Sequence, residues 1–231
     1  MLEFLSFHKK QKEFQSIMEI ATEVADEEPA ALISLTRSLL RPLQSEHLMA
    51  LTERSAHNAP DSIDGASFFF NITDHHIFNY LLASTPRITL NLSRDIVFST
   101  PWHRRRYSEA LACIGVGKMC GAWRQDANHR VSVLLPWGIG FVLGGNHSIA
   151  SGIMAGEGSV DVIEAYNLNP LFDLMDSDGL YYRNKKTRKP LARVNDHRRA
   201  AVFEIGRLMR HHNVCAFKES IDIQDLHLVR G

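Results

Sequence analysis

Gly140-Phe-Val-Leu-Gly-Gly-Asn-His-Ser-Ile-Ala-Ser-Gly-Ile-Met-Ala-Gly-Glu-Gly158 is the stretch on which the reading of this chain turns. An apolar run ends in Gly144-Gly145 and passes at once into small and apolar residues that extend to about Ala155, with Gly156 and Gly158 beyond. That order predicts a strand, a tight turn and a short helix. The first N–H groups of a helix have no partner within it, and the helix dipole favours an anion there. Glycine permits close approach and the positive φ that such turns often need. Gly144, Gly145, Asn146, His147 and Ser148 are therefore candidate phosphate-binding residues. The alternative is an ordinary turn whose N–H groups are capped by the side chain of Asn146 or Ser148.

Working outward, residues 131–135 and 139–143 flank Pro136-Trp137-Gly138 and predict a hairpin. Residues 87–92 alternate as a strand with one buried face, and residues 159–165 read as one further strand. Between these, Thr100-Pro101 suits a helix opening with Thr100 as cap, Tyr107, Leu111 and Ile114 as stripe, and Gly115 and Gly117 as stop. Towards the N-terminus, Phe14, Ile17, Met18, Ala21, Val24 and Ala25, then Leu32, Leu35 and Leu39, recur at helical spacing, punctuated by Pro29 and Pro42. A polar stretch over residues 55–65 and a short helix over about 74–82 follow. Towards the C-terminus, residues 180–182 and 191–194 pair as a hairpin, and Asn195 or Asp196 caps a helix through Met209. The expected organisation is a helical N-terminal segment (1–60), an α/β core (61–166, with its motif region at 85–166) and a basic hairpin and helix (167–231).

The 231 residues carry 26 basic and 26 acidic side chains and are 45% hydrophobic, which excludes a disordered chain or a polyelectrolyte tail. No run reaches the roughly 18–20 apolar residues that span a bilayer, and the first residues lack a signal peptide's order, so a cytoplasmic protein without membrane partners is expected. The zero balance conceals segregation. Residues 1–64 carry net −5, residues 85–150 net +5, and residues 181–218 net +9, while residues 151–180 hold six acids and no Lys or Arg. This polarity gives either a positive surface for phosphates or an acidic N-terminal segment packed on the protein's own basic part. Cys113, Cys120 and Cys215 are odd in number and form no C-x-x-C pair, so free thiols are expected.

His103-Arg104-Arg105-Arg106 falls in the first turns of the predicted helix, where each exposed cation opposes the dipole at roughly 0.3–1 kcal/mol. A bound phosphate would compensate, since guanidinium pairs bidentately with its oxygens, and so would nearby acids such as Glu109. Gly115-Val-Gly-Lys-Met119 lacks both the first glycine and the Ser or Thr of a Walker loop. No G-x-S-x-G or H-E-x-x-H sequence occurs, and no metal site is expected.

The order strand, helix, two strands, G-G-N-H-S, helix, G-x-G, strand over residues 88–165 resembles the ParB/sulfiredoxin-like superfamily, whose members carry a G-x-H-R or G-G-C-H-R box after a strand. The resemblance covers about 80 residues. It implies a nucleotide or polyphosphate site, with ATP or CTP and magnesium as ligands, in an NTPase or a nuclease acting with DNA or RNA. Gly144 and Gly145 then shape the loop, and His147, the candidate catalytic residue, serves as general acid or base, the alternative being a loop histidine that hydrogen-bonds the backbone. Asn146 stands at the catalytic cysteine position of sulfiredoxin, so thiol repair chemistry is not implied. Ser148 replaces the phosphate-binding arginine, which leaves Arg104, Arg105 and Arg106 to supply the cation. The alternative is a non-catalytic module with a decayed site that binds nucleic acid or protein.

Overall fold

In the computed structural model, residues 2–53, 62–70, 82–83 and 87–217 are described, with backbone alone for residues 2–7, 82 and 83. The helix expected at 74–82 and the division near residue 60 lie outside the described residues. Helix α1 (Leu2–Glu27) leads through a 3-10 turn (Pro29–Ala31) into α2 (Leu32–Glu53). Glu28 opens the turn by accepting the Ala30 N–H at 3.2 Å. Pro42 was expected to end a helix, yet it lies on the exposed side within α2. The helix continues because Leu32, Thr36, Leu40, Gln44, Leu48 and Leu51 bury one continuous stripe through it.

That stripe fastens α2 to the segment leading into the site. Gln44 donates to the Val97 carbonyl at 2.9 Å, Arg41 to the Arg94 carbonyl at 2.6 Å, and Arg37 pairs with Asp95 at 2.8 Å. Asp95 is 1% exposed and also accepts the Asn91 N–H at 2.8 Å.

The main sheet runs in the order β1 (Leu82–Ala83), β7 (Glu164–Asn167), β4 (Arg130–Leu135), β5 (Ile139–Gly144), β3 (Val97–Phe98). Strands β4 and β5 form the expected hairpin, while β4 with β7 and β3 with β5 are parallel. The single strand expected over 159–165 is divided. Its first part, β6 (Ser159–Asp161), pairs with β2 (Thr89–Asn91) in a separate two-stranded sheet, and its second part is β7. Helix α3 (Arg104–Cys113) follows β3, and α4 (Asn146–Ala155) follows β5.

A short α5 (Leu171–Leu174) precedes a three-stranded sheet of β8 (Met175–Ser177), β9 (Tyr181–Asn184) and β10 (Pro190–Arg193). The β9–β10 pair is the expected hairpin, and β8 adds a strand to it. Helix α6 (His197–His211) is capped by Asp196, whose carboxylate accepts the Arg198 and Arg199 N–H groups.

The three segments expected from the sequence share one core. Phe14, Leu32 and Leu40 join Phe68, Phe98, Trp137 and Phe141 and, from the C-terminal part, Phe172, Tyr182 and Phe203. The Phe203 ring lies 5.2–5.5 Å from those of Phe69, Phe172 and Tyr182. Each such aromatic contributes about 1.5–3 kcal/mol through burial. Helix α1 packs along α6, with Glu13 3.5 Å from His197, so the acidic N-terminal helix does meet the basic C-terminal part. The expectation of free thiols is corrected at one pair. Cys113 and Cys120 form a disulfide with Cα atoms 5.0 Å apart, because the turn after α3 reverses the chain and the Cys120 N–H donates to the Cys113 carbonyl. Cys215 is free.

Candidate functional site

Because β3 and β5 are parallel and adjacent, with Phe98 opposite Phe141, their carboxyl ends lie side by side. Chain leaving β5 turns at Gly145 into α4, and chain leaving β3 passes through residues 99–103 into α3. Two helices therefore start at the same end of one sheet. This is where open α/β sheets commonly bind ligands.

Asn146 ties the two exits together. Its Oδ1 accepts the Thr100 N–H at 2.7 Å and lies 3.1 Å from the Ser99 hydroxyl, which also reaches the Asn146 carbonyl at 2.7 Å. A His47 ring nitrogen lies 2.8 Å from the Thr100 hydroxyl. With its N–H and hydroxyl so engaged, Thr100 does not cap α3 as expected. His103 caps it, Nδ1 accepting the Arg106 N–H at 3.3 Å. The His103 N–H in turn donates to His147 Nε2 at 3.1 Å, joining the first turn of α4 to the start of α3.

Gly145 sits in the left-handed region at φ 79°, and a Cβ there would lie 2.4 Å from His129 Cδ2. Glycine is required on both counts. Having no side chain, Gly145 provides no cap. Asn146 is turned towards Ser99 and Thr100, so the capping alternative raised by the sequence does not occur, and among the described residues no side chain accepts the N–H groups that open α4. Trp123 braces the helix, Nε1 donating to the Ser148 carbonyl at 2.9 Å, while its ring packs on His129 at 4.9 Å.

The three arginines are disposed differently. Arg105 pairs with Glu109 at 2.8 Å one turn along α3, so an acid does compensate that cation. Arg106 holds its guanidinium 5.6 Å from the Trp102 ring centre, and its charge acts on His147. Arg104 is exposed and lines an open cleft of about 440 Å3 with Trp102, His103, Arg105 and Ser108. The Trp102 ring also meets His147 edge-on at 5.5 Å. Sequence reasoning passed over Trp102 and took His103 only as part of the basic run, although a tryptophan directly preceding His-Arg-Arg-Arg was the available signal. A second cavity of about 360 Å3 is lined by Glu46, Asp64 and Arg199 among others, and its two carboxylates make it a poorer host for an anion.

Burial lowers the pKa of His147, and the nearby Arg106 and His103 lower it further. Burial likewise lowers His129, opposed by Asp126. Nε2 of His147 accepts a backbone N–H, so the neutral ring carries its proton on Nδ1. A folded pKa below the unfolded value of about 6.5 means that the unfolded chain binds more protons as pH falls. The contribution of both histidines is therefore complete above about pH 6.5 and is lost progressively below it. Urea unfolding should show a lower midpoint at pH 5.5 than at pH 7.5, with a smaller difference in His129→Gln. An unchanged midpoint would contradict the neutral pair.

Fold and site together define a mixed α/β protein with two helix starts converging at the carboxyl ends of neighbouring parallel strands. The chain belongs to the DUF6710 family, a family of unknown function, which it matches over residues 3–216. No curated protein and no solved structure matches it. Among the described residues no helix is long and apolar enough to cross a membrane, and no cluster of three or more His, Cys, Asp or Glu is placed to hold a metal ion.

Proposed function

We propose that the start of α4, together with His103 and Arg104–Arg106, binds the phosphates of a nucleotide or polyphosphate. One observation carries this reading. The uncapped N–H groups of α4 open beside the arginine-bearing start of α3, with His147 hydrogen-bonded across the junction. A helix start and guanidinium groups supply complementary attraction for a dense anion. Arg104 and Arg106, on the neighbouring helix, take the place of the arginine that Ser148 replaces.

The ParB/sulfiredoxin-like resemblance agrees with this reading and belongs to the same proposal. Binding ranks ahead of turnover. The His147 Nε2 lone pair is occupied by the His103 N–H, and acid–base use of that atom requires the bond to open. NTP hydrolysis or nuclease action is therefore the lesser expectation beside a binding module for nucleotide, DNA or RNA.

Calorimetric titration with ATP, CTP and GTP, with and without magnesium, tests the proposal. At least one nucleotide is expected to bind at millimolar concentration or below, and Arg104→Gln, Arg105→Gln, Arg106→Gln combined is expected to abolish it. Absence of binding by all three nucleotides would end the proposal. Binding of nucleic acid that weakens steeply with salt, with no nucleotide binding, would favour the non-catalytic module instead.

A further inference from the structure

We infer that Trp102 is a stacking platform for a nucleobase, so that the ligand at the paired helix starts is a nucleotide, free or within a single strand, and not an inorganic polyphosphate. The inference rests on the anion-binding reading above and adds the chemical class of the ligand.

Of the three tryptophans, Trp123 and Trp137 are buried at 6% and 2% exposure, whereas Trp102 is 54% exposed. Exposing the largest apolar side chain forfeits the stabilisation its burial would bring. The ring is nevertheless well held. Arg106 lies over it at 5.6 Å, and His147 and His103 meet it edge-on at 5.5 and 5.7 Å. An aromatic surface already ordered by such neighbours loses little further conformational freedom when a ligand stacks on it. Every base presents a π-face, and stacking on an aromatic side chain strengthens nucleic-acid binding irrespective of base identity.

The surroundings fit the other half of a nucleotide. Arg104 lines the cleft with Trp102, and Arg106 lies against the ring. The contact between Trp102 and His147 places the ring beside the first turn of α4. A base on Trp102 thus leaves its phosphates near the open N–H groups and the guanidinium groups. Inorganic polyphosphate would use the cations and the helix start but leave the ring idle.

The experiment compares ATP and CTP with inorganic tripolyphosphate in the wild type, Trp102→Ala and Trp102→Phe, read by calorimetry and by tryptophan fluorescence. The substituted side chain is exposed, and circular dichroism is the check that each variant folds. ATP and CTP are expected to bind about tenfold or more tighter than tripolyphosphate, as stacking of one base implies. Trp102→Ala should remove that advantage, lowering nucleotide affinity by about tenfold or more and tripolyphosphate affinity by less, and Trp102→Phe should keep most of it. Nucleotide quenching of fluorescence should disappear in both variants. Equal binding of nucleotide and tripolyphosphate, insensitive to Trp102→Ala, would overturn the inference and leave the anion site standing. No binding of either would overturn both. A Trp102-dependent preference for an oligodeoxythymidine decamer over thymidine triphosphate would assign the base to a strand, and the reverse order to a free nucleotide.

Discussion

Gly145→Val is expected to destabilise the protein by about 2–5 kcal/mol and to abolish ligand binding. Forcing a branched residue into the left-handed region accounts for about 1–2 kcal/mol. Crowding accounts for the rest, because the first added carbon would stand 2.4 Å from His129 Cδ2. His129 cannot retreat freely, being 4% exposed and packed on Trp123, which itself holds the Ser148 carbonyl. The displacement is therefore passed to the first turn of α4. Gly156→Ala supplies the control. Its backbone is also left-handed, at φ 68°, but a Cβ there meets nothing within 4 Å, so only the conformational cost of about 1–2 kcal/mol applies and binding should persist. Urea unfolding and nucleotide titration of both variants check the contrast, and equal behaviour of the two would contradict the steric account.

Asp95→Ala is expected to cost about 3–5 kcal/mol, the loss typical of leaving a buried charge without its partner. The carboxylate joins α2 to the chain entering β3, through Arg37 at 2.8 Å, Arg94 at 3.0 Å and the Asn91 N–H at 2.8 Å. Removing it strands the half-buried Arg37, whose pKa is already lowered chiefly by burial, and a backbone donor. The effect should extend beyond stability, since β3 delivers Ser99, Thr100 and Trp102 to the site. Combining Arg37→Met with Asp95→Ala should cost less than the two single losses together, because no orphan charge then remains. A urea midpoint unchanged by Asp95→Ala would show that the pair is dispensable.

Much of the local structure was legible because it rests on local signals. The β4–β5 hairpin follows from two apolar runs around Pro136-Trp137-Gly138, α4 from its glycine turn, and the α6 cap from Asp196 before a helical stripe. What escaped depends on partners distant in sequence. Strand β3 is only Val97–Phe98, too short to register as a period, and becomes a strand by pairing with β5. Residues 159–165 show one continuous strand-like pattern, but Leu90 pairs with Val160 while Val133 pairs with Ala165, so the chain passes from one sheet to another. Thr100 has the chemistry of a cap, and only the approach of Asn146 and His47 diverts it. The Cys113–Cys120 pair likewise depends on a turn that counting cysteines does not reveal.

The candidate site was read in part. The glycine turn and the arginine cluster were both visible, and their joining through His103 and His147 is a tertiary fact. From the sequence Asn146 is a cap or a phosphate-loop residue, whereas in the fold it is the tie between the two strand exits. In sequence the arginines form one group, but in the fold Arg105 is committed to Glu109 while Arg106 lies on Trp102. Sequence distance along a helix does not tell where such long side chains rest.

The most direct measurement is the nucleotide titration followed amide by amide by NMR. The central claim predicts saturable, concentration-dependent shifts of the Asn146, His147 and Ser148 N–H resonances, accompanied by the Trp102 indole, at one common affinity. Unmoved amides over residues 145–148 at millimolar nucleotide would contradict it, whatever binding occurred elsewhere on the protein.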